Sequence, residues 1–139
     1  MAYNDLVNLV DFDKMVHILV EEIIIKSGAV SPDIVKNIEF VRRKPGMPFL
    51  DFHRYWQNVH GPLAAKIGMI RRYIQSHTLM IEYEKDTPPA YGGVAETWFD
   101  NTAAMRQSAA PEYAATRAAD KNFVSREGQF VNTKEIQIF

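Results

Sequence analysis

A chain of 139 residues, 47% hydrophobic and 24% charged, suits one compact domain, and its lack of cysteine excludes disulfide scaffolds, thiolate metal sites and cysteine nucleophiles. With 16 Lys and Arg against 17 Asp and Glu the formal charge is −1, which argues against a nucleic-acid binder. No apolar run approaches the roughly 20 residues of a bilayer span, and acids precede the first base, Lys14, so a cytoplasmic protein without membrane or nucleic-acid partners is expected.

Residues 1–30 carry five acids and two bases, and Ser27-Gly28-Ala29-Val30-Ser31-Pro32 closes them off. Phe12, Met15, Val16, Leu19 and Ile23 recur with the period of one helical face, so residues 1–35 read as an N-terminal helical extension. The β-branched run Ile23-Ile24-Ile25 speaks against that helix. From residue 36 to 139 the chain reads as a single domain. Alternation through Ile38, Phe40 and Arg42 marks a strand ended by Pro45-Gly46, and Pro48 opens a helix that runs past Gly61-Pro62 to Lys66. Arg71 to Glu82 alternates as a strand. Glu84 to Gly93 is a loop, Val94 to Phe99 a further strand, and Asp100-Asn101-Thr102 a cap. Residues 102–122 form an alanine-rich helical stretch broken at Pro111, and Phe130 to Phe139 a last strand.

Helix followed by β-α-β-β-α-β is an α+β, ferredoxin-like order, with two helices on one face of an antiparallel sheet. Large residues stand on both strand faces. Tyr73, Leu79, Val94 and Trp98 are expected on the uncovered one, where a second copy would close a dimeric α+β barrel.

Candidate chemistry rests on histidine. His53 and His60 lie seven residues apart, on one helix face with Trp56 between them. Two readings fit: core-facing imidazoles with satisfied hydrogen bonds, or an acid and a base reaching a pocket. On the strands His77 shares a face with Tyr73 and Gln75, and Glu96 shares one with Val94 and Trp98. Glu96 either acts as an acid beside Trp98 or pairs with Arg71, Arg72 or a residue of a neighbouring strand. Arg71-Arg72 and Arg42-Arg43-Lys44 read as solvated strand ends or as holders of a substrate anion at the cavity mouth. No His-x-x-x-His, calcium loop, phosphate loop or nucleophile elbow occurs, so neither metal nor cofactor is expected.

Phe40-Val41-Arg42-Arg43-Lys44-Pro45-Gly46-Met47, Phe52-His53-Arg54-Tyr55-Trp56 and Val59-His60-Gly61-Pro62-Leu63-Ala64 together resemble the EthD family. Arg71 to His77, Val94 to Phe99 and Asp120-Lys121-Asn122-Phe123 fit its later elements, and the likeness covers about residues 37–139. The resemblance implies a homodimeric α+β barrel, recurring histidines at His53, His60 and His77, and a strand acid at Glu96. It departs at Pro48, where a Ser or Thr cap is common. The function expected is cofactor-independent acid–base catalysis on a small aromatic, lactone or polyketide-like substrate: isomerisation, dehydration, cyclisation or decarboxylation. His53, His60, His77 and Glu96 are the candidate catalytic residues, and Trp56, Arg72, Tyr73 and Trp98 would bind substrate. A cofactorless oxygenase (or an accessory protein of an oxidoreductase pathway) and a non-catalytic binding module are the alternatives.

Overall fold

Five stretches of alternating residues pair into one antiparallel sheet in a computed structural model that describes residues 2–125 and 128–136. They are β1 (Val20–Lys26), β2 (Val35–Val41), β3 (Ile70–Thr78), β4 (Gly93–Phe99) and β5 (Gln129–Lys134), in the spatial order β1-β3-β4-β2-β5. Strands β2 to β5, with helices after β2 and β4, form the ferredoxin-like unit, and β1 is added at its edge. The last three residues of the expected final strand lie outside the described residues.

The edge strand corrects the helix expected over residues 12–23. A short helix, α1 (Ala2–Leu9), lies earlier, Phe12–Lys14 is a single 3-10 turn, and Val20 onward pairs with β3. The β-branched run decides the outcome, because Ile23, Ile24 and Ile25 suit a pleat and β3 offers an edge of unpaired backbone groups.

After β2 the chain forms α2 (Phe49–Tyr55), a π turn over Trp56–His60 and α3 (Gly61–Ala65), a continuous helical run from Phe49 to Ala65. Pro62 has no N–H to give and crowds the preceding turn, which widens instead; the Gly61 N–H bonds to Trp56 O, five residues back. After β4, α4 (Thr102–Gln107) starts at Asn101, whose side chain accepts from the Ala104 N–H at 2.8 Å. A 3-10 turn at Pro111–Tyr113 then leads into α5 (Ala114–Asp120). Strand β3 ends at Thr78, short of the expected Glu82, and Met80–Glu84 is a 3-10 turn.

The core lies between helices and sheet, where Phe52, Trp56, Tyr73, Phe99 and Phe123 are almost fully buried. Cross-strand register sets the two sheet faces. Lys36 pairs with Trp98, which pairs with Arg72, while Ile38 pairs with Glu96, which pairs with Ile74. These residues stand on the face without helices. Tyr73 pairs with Thr97 and Gln75 with Ala95, on the helix-covered face. Tyr73 is thus the correction to the expected open face: in phase with Gln75 and opposite Thr97, its ring joins the core beneath the helices.

Candidate functional site

A cavity of about 140 Å³ sits between the helical layer and the sheet. Its titratable lining is Glu39 from β2, His60 from the π turn, Tyr73 from β3 and Asp120 from α5; Asn37, Thr97 and Thr116 add neutral polar groups, and Trp56 and Phe123 supply aromatic walls. That volume is on the order of the 150 Å³ known to admit one benzene ring.

His60 and Asp120 face each other. Asp120 Oδ1 stands 2.9 Å from His60 Nδ1 but outside hydrogen-bonding direction, leaving the buried Nδ1 without a hydrogen-bond partner among the described residues. Glu39 lines the cavity and is exposed to solvent there. Burial pushes its carboxyl above the usual range, nearby Asp120 adds to the rise, and His60 opposes it.

Tyr73 belongs to a chain of buried hydrogen bonds. Gln75 Nε2 lies 2.9 Å from the Trp56 carbonyl, which fixes that end of the side chain as the amide nitrogen. Gln75 Nε2 also donates to Tyr73 Oη at 3.0 Å, and Trp56 Nε1 donates to the same oxygen at 3.1 Å. On its other side Gln75 Oε1 meets His77 Nε2 at 2.9 Å, so His77 carries its proton there. His77 Nδ1 is then an acceptor for the His53 Nδ1–H at 2.8 Å, and His53 Nε2 accepts from the Tyr83 hydroxyl at 3.1 Å. All donors point one way, from Tyr83 to Tyr73. Both acceptor positions of the Tyr73 oxygen are filled, and its own proton is left over for a partner outside this chain of bonds.

Burial holds both linking imidazoles neutral. His53 is pushed down to about 4 by desolvation and then by the Arg43 charge, and His77 down to about 4 by desolvation and then by His53. Tyr73 is raised, again chiefly by burial, so it keeps its proton at neutral pH.

The eight residues singled out from the sequence divide between the two sides of the sheet. His53, Trp56, His60, Tyr73 and His77 stand on the helix side. His53 and His60 do not share one pocket: the π turn acts as one inserted residue and rotates the helix beyond it by about 100°. His53 meets His77 and Tyr83, whereas His60 meets Asp120 and Phe123. Glu96, Trp98 and Arg72 gather on the open face. There Lys36 Nζ bonds Glu96 at 2.9 Å and lies 5.0 Å from the Trp98 ring centroid, which Arg72 approaches at 5.6 Å. Glu96 thus pairs with a lysine, and Arg71 pairs with Asp100 at 2.6 Å. Glu39 and Asp120 escaped the sequence reading as site residues, although Glu39 alternates in phase with the core residue Val41. Among the described residues no group of three His, Asp or Glu side chains is placed to hold a metal, and no helix is long and apolar enough to cross a membrane.

Sheet order, crossover helices and the cavity beneath them define a ferredoxin-like α+β protein with an added edge strand. The EthD domain model matches residues 44–127, more than half of the chain, and the chain belongs to the EthD family. An EthD-family protein of Bacillus halodurans C-125 shares the fold at TM-score 0.58 and 18% identity, covering 74% of this chain and 99% of that one. A dimeric protein of unknown function and ferredoxin-like fold from Bacteroides fragilis NCTC 9343 does so at 0.56 and 17%, covering 74% and 97%. A mutant of SnoaB, a cofactor-independent oxygenase from Streptomyces nogalater, aligns at 0.51 and 17%, covering 76% and 95%. No curated protein matches the chain significantly.

Proposed function

We propose that the chain is a cofactor-independent acid–base enzyme whose substrate places one ring, aromatic or of lactone or polyketide type, in the cavity at His60. The observation that carries this reading is the Tyr73 hydroxyl, saturated by two N–H donors and left with its own proton for the cavity. A donor already fixed in place stabilises an oxyanion without reorganising as charge develops. Asp120 beside Nδ1 favours the tautomer with its proton there, leaving Nε2 as the base. His60 then removes a proton from the carbon next to a substrate carbonyl, and the enolate oxygen takes the Tyr73 hydrogen bond. The raised Glu39 carboxyl supplies a proton elsewhere on the substrate. Protonation at a second carbon gives isomerisation; protonation of a departing hydroxyl gives dehydration. His53 and His77 act in this scheme by orienting Gln75 and Tyr73.

His60→Ala should abolish turnover on a panel of ring-bearing ketones, lactones and phenols while its melting temperature stays near wild type; retained turnover overturns the role of His60. Return of every bound compound unchanged by the wild type would make the protein a binding module. Likeness to SnoaB favours a second reading, a cofactorless oxygenase, and oxygen uptake with an anthrone or catechol is its test.

The open sheet face suits a second copy. Val131, Ile38, Ile74 and Ile24 form a row across it, with Glu96 in the middle paired to Lys36. Ile24 and Val131 are exposed in the single chain, and the Bacteroides fragilis neighbour is dimeric. A homodimer would bury them and carry Trp98 and Arg72 into its interface.

A further inference from the structure

Arg42, Arg43 and Lys44 follow β2 directly and form one wall of a second cavity, of about 270 Å³. Pro88, Pro89 and Ala90 face them, with Gly92 and Tyr83 between. This cavity and the one at His60 have no lining residue in common.

The cationic wall is held in place by backbone. Lys44 N–H bonds to Phe123 O at 2.8 Å, Ser125 N–H to Arg42 O at 2.9 Å and Gly92 N–H to Val41 O at 2.8 Å. Arg42 stacks on Tyr91 at 4.7 Å and Arg43 donates to Met47 O. Each contact orients a guanidinium and leaves most of its five N–H groups for another partner. Among the described residues no carboxylate lines the cavity and none of the three cations makes an ion pair. Three adjacent, half-buried to exposed positive charges repel one another and raise the local concentration of anions. Arg43 also opposes the rise that burial imposes on the Tyr83 hydroxyl, a sign that its field reaches across the cavity.

We propose that this cavity is a separate binding site for a small oxyanion, the carboxylate or phosphate group of a small molecule, held by Arg42, Arg43, Lys44 and the Tyr83 hydroxyl. Guanidinium groups match such oxygens in pairs, and the lysine adds a point charge. The volume accommodates the anionic group with a few attached atoms. Tyr83 gives the site an internal reporter. Its one proton serves His53 Nε2, and an anion that accepts this proton withdraws the first donor of the chain that ends at Tyr73.

Calorimetric titration of the full chain at fixed ionic strength, with inorganic phosphate in one arm and benzoate in the other, is the test. Saturable 1:1 binding of either ion is expected, and the responding arm distinguishes a phosphate from a carboxylate ligand. Lys44→Gln alone should weaken it, and Arg42→Gln with Lys44→Gln should weaken it by about tenfold or more. The remote exposed change Arg54→Gln should leave it intact. His53 and His77 imidazole resonances should shift with the same saturation curve in wild type. Absence of saturable binding in both arms, or equal affinity in the double variant, overturns the proposal. Binding is read without turnover, so this outcome is independent of the reaction assigned to the His60 cavity.

Discussion

Gln75→Leu tests whether the buried chain of hydrogen bonds is a built device. Gln75 is 0% exposed and makes three bonds: to the Trp56 carbonyl, to Tyr73 Oη and from His77 Nε2. Leucine nearly keeps the shape and removes all three. The Trp56 carbonyl retains the Gly61 N–H and Tyr73 retains the indole N–H, but the His77 Nε2–H loses its acceptor. One orphaned buried donor costs about 1–3 kcal/mol and each lost neutral bond about 1 kcal/mol, offset by about 1 kcal/mol for the more apolar side chain, so roughly 2–4 kcal/mol is expected. For a chain of this length that lowers the melting temperature by roughly 10 °C. Gln75→Glu, closer in shape, should cost more, because it buries a charge and sets acceptor against acceptor at Trp56 O. Urea unfolding followed by tryptophan fluorescence and circular dichroism measures both, with the exposed change Gln57→Leu as control. A loss below about 1 kcal/mol for Gln75→Leu, or Gln75→Glu milder than Gln75→Leu, would refute the donor order that aims Tyr73.

Acid should weaken the fold through the histidine pair. The folded values near 4 lie below the unfolded value of 6.5, so the unfolded chain binds protons first and stability falls as pH drops from 6.5 to 4. For His77 alone the loss at pH 5 is on the order of 2 kcal/mol, and His77→Ala should flatten that slope in unfolding titrations. Gly93→Ala places a Cβ 2.2 Å from Ser76 O and 2.7 Å from the Trp56 ring. A central strand pair cannot give way cheaply, and chemical denaturation should show a loss of roughly 3 kcal/mol or more. Trp98→Ala combined with Ile24→Lys should leave only monomer by light scattering if the open face carries the second copy; an unchanged dimer would place the interface elsewhere.

Element order was legible because it depends on local terms: alternation, turn chemistry at Pro45-Gly46, the break at Pro111 and the cap at Asn101 all act within a few residues. The edge strand was not, since Phe12 to Ile23 shows a helical period by spacing alone and only the open edge of β3 makes extension the better state. That His77 shares a face with Tyr73 and Gln75 came from the pleat, and the hydrogen bonds His77–Gln75 and Gln75–Tyr73 lie along that face. Placing His53 beside His60 failed on a single π turn, because one added residue rotates a helix face without changing composition or spacing in the chain.

The linear order of residues thus determined fold class and which residues share a face along each strand, since period and sterics are properties of neighbours. Which face Tyr73 joined, which acids stood at His60 and how Tyr73 came to donate were decided in three dimensions. Glu39, His60, Tyr73 and Asp120 come from four separate elements. Their meeting depends on strand register and a widened helical turn, and each of these sums packing over the whole molecule.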